Sequence, residues 1–255
     1  MLLEISELTK YFGGLAAVER FNMSVGDGEI VGLIGPNGAG KSTVFNLVTG
    51  VLKPTMGKVL FDEKDITGQK PHVIAELGIG RAFQLNPLFA GFTVFQNVFA
   101  SFHLRPKSSL LDAFFNTATY RRNEAYISEQ SMEILQLLGL DGVKDELAKN
   151  LPHGHQKLLG IARALAVKPR LLLLDEPLAG MNSGEIDFTM EAIRKTHRAG
   201  VTIVLVEHNM QIMDLCSRVV VVNFGQKIAE GSPSEVRDNE EVVRAYFGGG
   251  GCCLV

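Results

Sequence analysis

At 255 residues and 46% apolar, the chain suits one large domain, or one domain with an inserted subdomain, and excludes disorder over most of its length. A net charge of −3 leaves no electrostatic footprint for a nucleic-acid partner, whose phosphates demand clustered Lys and Arg. Three cysteines, Cys216, Cys252 and Cys253, lack metal-ligand or disulfide spacing, and no apolar run approaches the ~18 residues of a spanning helix. A reducing, cytoplasmic setting without a leader is expected, with any membrane association peripheral and through a partner. In chain order, Leu2 to Leu8 alternates loosely as a strand, followed by the turn Tyr11-Phe12-Gly13-Gly14. Ala17 to Val25 reads as a second strand, and Asp27-Gly28 as a hairpin signal leading into the buried strand Glu29 to Ile34. Tyr11 or Phe12 could stack on a flat purine ring or simply cover the sheet edge.

The next stretch is Gly35-Pro36-Asn37-Gly38-Ala39-Gly40-Lys41-Ser42-Thr43, which fits Gly, four residues, Gly-Lys-Ser/Thr at every position. It lies between a buried strand and a helix, Ser42 to Val48, as a phosphate-binding loop requires. Glycines let backbone N–H groups turn inward around phosphate oxygens, and the helix N-terminus adds partial positive charge. Lys41 is expected to reach the β- and γ-phosphates of a nucleoside triphosphate, and the Ser42 hydroxyl to ligate Mg²⁺.

Gly57 to Phe61 reads as a short strand, Asp62 to Gln69 as a polar turn, and Pro71 to Leu77 as a helix closed by Gly78. Ile79 to Phe83 is a strand ending at Gln84, which alone is not diagnostic. Leu85 to Lys149 is rich in phenylalanine and reads as a mostly helical insertion with apolar surface to spare, containing the helix Asn123 to Leu138. Phe89, Phe92 and Phe95 would share a face if that segment were helical.

Leu151 to Gln156 reads as a turn opening a helix from Lys157 to Val167. Leu171 to Leu174 is a buried parallel strand ending in Asp175-Glu176. With a phosphate loop elsewhere, Asp175 is expected to hold Mg²⁺ and Glu176 to face the attacking water, rather than merely cap the strand. An amphipathic helix, Glu185 to Arg198, precedes the strand Val201 to Val206, which ends at Glu207-His208 and makes His208 a candidate phosphate sensor. A short helix, Met210 to Cys216, a hairpin turning at Phe224-Gly225, and a capping box at Ser232 to Glu235 follow. Residues 248–255 read as a flexible tail, whose final Cys252-Cys253-Leu254-Val255 imitates a prenylation box by chance.

Taken together, these motifs resemble the ATP-binding subunits of ABC transporters over nearly the whole chain. The resemblance implies an α/β fold: a P-loop NTPase core with a mostly parallel sheet, an N-terminal antiparallel β subdomain and an inserted helical subdomain. The cassette would span residues 1–247, with the insertion at about 85–165. Gly35 to Ser42 correspond to Walker A and Asp175-Glu176 to Walker B. Gln84 stands at the Q-loop and would join Mg²⁺ to transmembrane subunits. His208 stands at the switch histidine, Phe12 at the adenine-stacking aromatic, and Ala179-Gly180-Met181-Asn182 at the D-loop. Leu151 to Gln156 occupies the family signature, usually Leu-Ser-Gly-Gly-Gln, with Pro152, His153 and His155 as departures and Gly154 retained. Asn182 departs from the more frequent Asp of the D-loop.

Arg81-Ala82-Phe83-Gln84, Pro87-Leu88-Phe89, Thr93-Val94, Gln96-Asn97-Val98 and Val206-Glu207-His208-Asn209-Met210 are similar to the branched-chain amino-acid uptake class, whose relatives also carry urea or other amides. The resemblance implies an ATPase on the cytoplasmic face of the membrane, paired with itself or a homologous subunit. Two permease subunits would lie above it, with a substrate-binding protein acting indirectly. ATP would lie between one protomer's phosphate loop and its partner's signature, where Pro152 supplies neither hydroxyl nor N–H and Gly154, His153 or His155 must serve. The alternatives are a soluble ATPase that remodels DNA or ribosomes and a nucleotide-gated regulatory subunit.

Overall fold

In a computed structural model, residues 1–83, 87–102, 117–207 and 210–247 are described. The chain opens with β1 (Leu3–Phe12) and β2 (Leu15–Val25), then β3 (Ile30–Ile34), α1 (Lys41–Val48), β4 (Met56–Phe61), the short β5 (Lys64–Asp65), α2 (Pro71–Leu77) and β6 (Ile79–Ala82). Among the described residues α3 (Val94–Phe102), α4 (Ala118–Leu137) and α5 (His153–Leu165) follow before β7 (Leu171–Asp175). Next come α6 (Ser183–Arg198), β8 (Thr202–Glu207), a 3-10 turn at Met210–Leu215, β9 (Arg218–Asn223), β10 (Gln226–Gly231), α7 (Pro233–Arg237) and α8 (Glu240–Phe247).

Among the described residues the strands form two sheets, an antiparallel one ordered β2-β1-β4-β5 and a second ordered β10-β9-β3-β8-β7-β6. The second is parallel from β9 through β6, and only β10 runs antiparallel. Its inner strands are apolar at consecutive positions because both faces are covered. In β8, Ile203 and Leu205 enter one core while Val204 and Val206 enter the other; in β7, Leu172 and Leu174 oppose Leu171 and Leu173. The first core is shared with α3 to α6, and the second with α1 and the antiparallel sheet. The parallel register directs the carboxyl ends of β3, β6, β7 and β8 to one edge, pairing Ile34 with Glu207, Asp175 with Val206 and Ala82 with Leu174. Ligands bind at that edge of open α/β sheets.

Four sequence expectations change. Asp27-Gly28 joins no hairpin: β2 lies in the antiparallel sheet and β3 in the parallel one, so the turn crosses between sheets. The polar turn after β4 contains β5, which pairs back on β4. The helix expected from Asn123 begins at Ala118, where the Thr117 side chain accepts from Tyr120 N, in a polar stretch without apolar period. The helix expected from Lys157 begins at His153, since Gln156 N donates to Pro152 O at 3.0 Å and closes the first turn immediately after the proline.

Candidate functional site: a phosphate cleft at the sheet edge

The loop between β3 and α1 is shaped by its glycines. Gly40, the N-cap of α1, has φ 103°, and a Cβ there would lie 2.5 Å from Ala17 O. Gly35 passes equally close to β9, with a Cβ position 2.1 Å from Val222 O. The loop thus rests on β2 and on the β9–β10 turn, where Gly225 N donates to Ala39 O at 2.8 Å. No side chain caps α1, so its first turn presents backbone amides alone. Inside the loop Lys41 is buried and donates to Gly35 O at 2.6 Å and Pro36 O at 2.8 Å. Burial pulls its ammonium below the usual lysine range, while Glu176, Asp175 and Glu207 pull it back up. Asn37, Gly38, Ser42 and Thr43 line a cleft of about 340 Å³ together with Glu176 and the turn residue Phe224.

Three carboxylates stand at the carboxyl ends of β7 and β8, and of these Glu176 lines the cleft. Asp175 is 5% exposed; its Oδ2 accepts from Arg81 Nη2 at 2.7 Å, while among the described residues its buried Oδ1 has no hydrogen-bond partner. An orphaned carboxylate oxygen at the carboxyl edge of a sheet fits a hard cation such as Mg²⁺. Glu176 takes φ 48°, in the left-handed region, and donates its N–H to Val206 O at 2.9 Å. Lys157 of α5 reaches the Glu176 carbonyl at 3.4 Å. The fully buried Glu207 accepts from Leu178 N at 2.8 Å, tying the end of β8 to the loop that carries Glu176.

The start of α5 faces α6 instead of open solvent. Gly154 N donates to Glu185 Oε1 at 3.1 Å, and the other Glu185 oxygen accepts from Asn182 N at 3.0 Å within the capping box of α6. These two amides hold the Glu185 carboxyl below the usual carboxylate range, helped by His153 and His155. His153 Nε2 lies 3.3 Å from Ala179 O, and the His155 ring stacks on Phe188 at 5.9 Å between centroids.

Residues 18–179 match the family profile for ABC transporters, and residues 226–251 match that for branched-chain amino acid ATP-binding cassette transporters. The high-affinity branched-chain amino acid transport ATP-binding protein BraF of Pseudomonas aeruginosa is 39% identical over 249 residues, covering 97% of this chain and 98% of BraF. LivG of Escherichia coli strain K12, of the same description, is 39% identical over 251 residues, covering 97% and 98%. The chain belongs to the ABC transporter ATP-binding family. A nucleotide-free ATP-binding cassette from an ABC transporter superposes with a TM-score of 0.84 at 33% identity, covering 97% of this chain and 99% of that one. The ADP conformation of a cassette also gives 0.84 at 33% identity, covering 97% and 98%. As a member of this family the chain is a P-loop ATPase, with ATP as its nucleotide.

Within this ABC cassette the structure brings the Walker A loop, Asp175 and Glu176 to one edge. Phe12, at the end of β1, is exposed with Lys10 Nζ 5.2 Å from its ring centre; its strand partner Leu15, not Phe12, lines the cleft. Gln84 and His208 lie outside the described residues, as do Phe114, Phe115 and the tail 248–255. The phenylalanines after β6 do not form one helical face. Phe89 and Phe92 precede α3 in a turn with rings 5.2 Å apart, while Phe95 packs against the core and against Phe99. Near them lies a groove of about 290 Å³ whose lining includes Phe83, Pro87, Ile74 and Arg163. The Arg163 guanidinium covers Phe89 at 4.8 Å.

Four residues that sequence reading did not single out stand close to this chemistry: Arg81, Glu185, Glu207 and Phe224. Asn182 followed by Glu185 is a legible capping pattern, and Glu207 adjoins the switch position. Arg81 lies in a class motif and Phe224 in a turn, but neither local pattern discloses its place in the site, because their partners come from distant strands.

Proposed function

We propose that the chain is the energy-coupling ATPase of a membrane importer for branched-chain amino acids, acting as a dimer on the cytoplasmic face beneath permease subunits. The observation that carries this reading is the convergence of Lys41, Asp175 and Glu176 on one sheet edge in a chain 39% identical to BraF and LivG over 97% of its length. The loop amides and Lys41 bind the β- and γ-phosphates; Lys41 exchanges its bonds to Gly35 O and Pro36 O for phosphate oxygens. Glu176 orients and deprotonates the water that attacks the γ-phosphate, and His208 steadies that phosphate. Ser42, Asp175 and Gln84 would hold Mg²⁺, which supplies positive charge to the phosphate oxygens. Gly154 at the start of α5 meets the partner protomer's phosphate once Glu185 withdraws. Phe224 and Phe12 are the aromatic candidates beside the adenine.

The groove by Phe83, with the exposed Phe89 and Phe92, would receive a permease subunit. The segment between β6 and β7 acts as the inserted subdomain in this scheme. The test is reconstitution with candidate permease subunits and a substrate-binding protein from the same organism. ATP-dependent uptake of radiolabelled leucine that competing isoleucine and valine suppress supports the assignment. Uptake of urea or an amide instead would move the cargo while leaving the ATPase reading intact.

A further inference from the structure

We propose that Arg81 is a positioning residue for the Mg²⁺ site: its guanidinium holds Asp175 by one oxygen and leaves the other turned to the metal. This rests on the ATP and Mg²⁺ reading above. Arg81 and Asp175 form a buried pair, 7% and 5% exposed, at 2.7 Å. A pair serving stability alone gains most from the bidentate fork, which spends both carboxylate oxygens. Here the fork is divided. Nη2 takes Asp175 Oδ2, while Nη1 donates to Asn46 Oδ1 at 2.8 Å and Thr49 Oγ1 at 3.1 Å. Among the described residues Asp175 Oδ1 is left buried without a partner.

The second set of contacts lies on α1 and its C-cap, with Ser42, Asn46 and the capping Thr49 at helical spacing. Phe45 of the same helix and Phe83 flank the guanidinium, with ring centres 5.6 and 4.5 Å from its central carbon. Arg81 itself sits in β6, three residues before Gln84. One side chain therefore joins β6 to α1, which bears Ser42, and to β7, which ends in Asp175. The arrangement fixes the carboxylate in direction and fixes its distance from the helix that holds the phosphate loop. Hydrogen-bonding partners of ligating carboxylates commonly have this effect, and their loss weakens metal binding about ten- to a hundredfold.

The experiment uses the full chain in a Glu176→Gln background, so that ATP is not consumed. ATP affinity is measured by calorimetry from EDTA to millimolar Mg²⁺, and Mn²⁺ binding in the presence of ATP by electron paramagnetic resonance. Arg81→Met removes the guanidinium; Arg81→Lys keeps charge but loses the fork. Asn46→Ala leaves the buried ion pair intact and removes only its anchor on α1, so it serves should Arg81→Met fail to fold. The expected result is unchanged ATP affinity in EDTA, with the Mg²⁺ concentration for half-maximal tightening raised roughly ten- to a hundredfold in Arg81→Met. Arg81→Lys and Asn46→Ala should show smaller shifts in the same direction. Folded variants that keep the parent's Mg²⁺ response and Mn²⁺ spectrum overturn the role of Arg81 alone. A parent whose ATP binding ignores Mg²⁺ overturns the metal reading and the role of Arg81 with it.

Discussion

Helices α1 at Gly40 and α5 at Pro152 both start without a side-chain cap, and they meet different fates. The amides of α1 open into the cleft beside Lys41, on a loop braced by backbone contacts. At the start of α5, Gly154 N already donates to a carboxylate of the same chain, Glu185. Both ends attract negative charge by the same dipole and the same unpaired N–H groups. The neighbour decides whether that attraction is kept for phosphate or spent internally. In the proposed scheme the first end is built to take ATP at once, and the second becomes available only when Glu185 lets go.

The largest effect should come from the α1 side. Glu176→Gln is isosteric and cannot accept a proton, so turnover should fall about 10²–10⁴-fold with ATP binding kept. Wild-type turnover in that variant would remove Glu176 from the chemistry. Lys41→Ala should instead lower ATP affinity itself, by the ~1.5–3 kcal/mol of a charge-assisted hydrogen bond, roughly ten- to a hundredfold in calorimetry. An unchanged affinity would count against the phosphate-loop assignment.

Changes on the α5 side should be smaller and act on dimer closure. Pro152→Ser gives the start of α5 a hydroxyl and an N–H that can donate to a partner's phosphate; at about 1 kcal/mol for a net hydrogen bond, about fivefold less ATP should drive dimerisation in the Glu176→Gln background. A closure curve identical to the parent's would leave Pro152 irrelevant. Glu185→Gln keeps an oxygen for the Gly154 amide but drops the charge, and closure should ease by a few-fold at most. Its pH signature has a defined sign. The Asn182 and Gly154 amides hold the Glu185 carboxyl below its unfolded value, so its contribution to folding is present above about pH 4.3 and is lost as pH falls through the lower, folded value. The melting temperature of the parent should therefore drop more steeply below pH 4.3 than that of Glu185→Gln. Parallel curves would show that the clamp adds nothing to stability.

The same contrast separates what the sequence discloses from what it conceals. The phosphate loop and the Asp175-Glu176 strand end were legible because their chemistry is local: spacing within nine residues, and an apolar run that stops at carboxylates. The two-core sheet was legible for the same reason in Leu171 to Leu174 and Val201 to Val206. Sheet order was not. Nothing near Asp27-Gly28 says that β3 will pair with β8 and β9 and leave β2 in another sheet. Nor does Ile79 to Ala82 announce that it will lie beside β7, which is what brings Arg81 to Asp175 across 94 positions. The turn at Phe224-Gly225 is legible as a turn, but its place against Gly40 depends on the β9–β3 pairing. In sequence Leu151 to Gln156 has the look of a turn opening a helix, since proline and glycine weaken helix in general, whereas proline is tolerated where no N–H is needed, at the start.

ATP-driven closure of two protomers over a shared site can be read directly as molecular mass by light scattering of the Glu176→Gln chain. With ATP and Mg²⁺ the mass should double, and Lys41→Ala added to the same chain should return it to that of a single protomer. A mass that stays at one protomer while calorimetry shows ATP fully bound would contradict the shared site between the phosphate loop and a partner's α5.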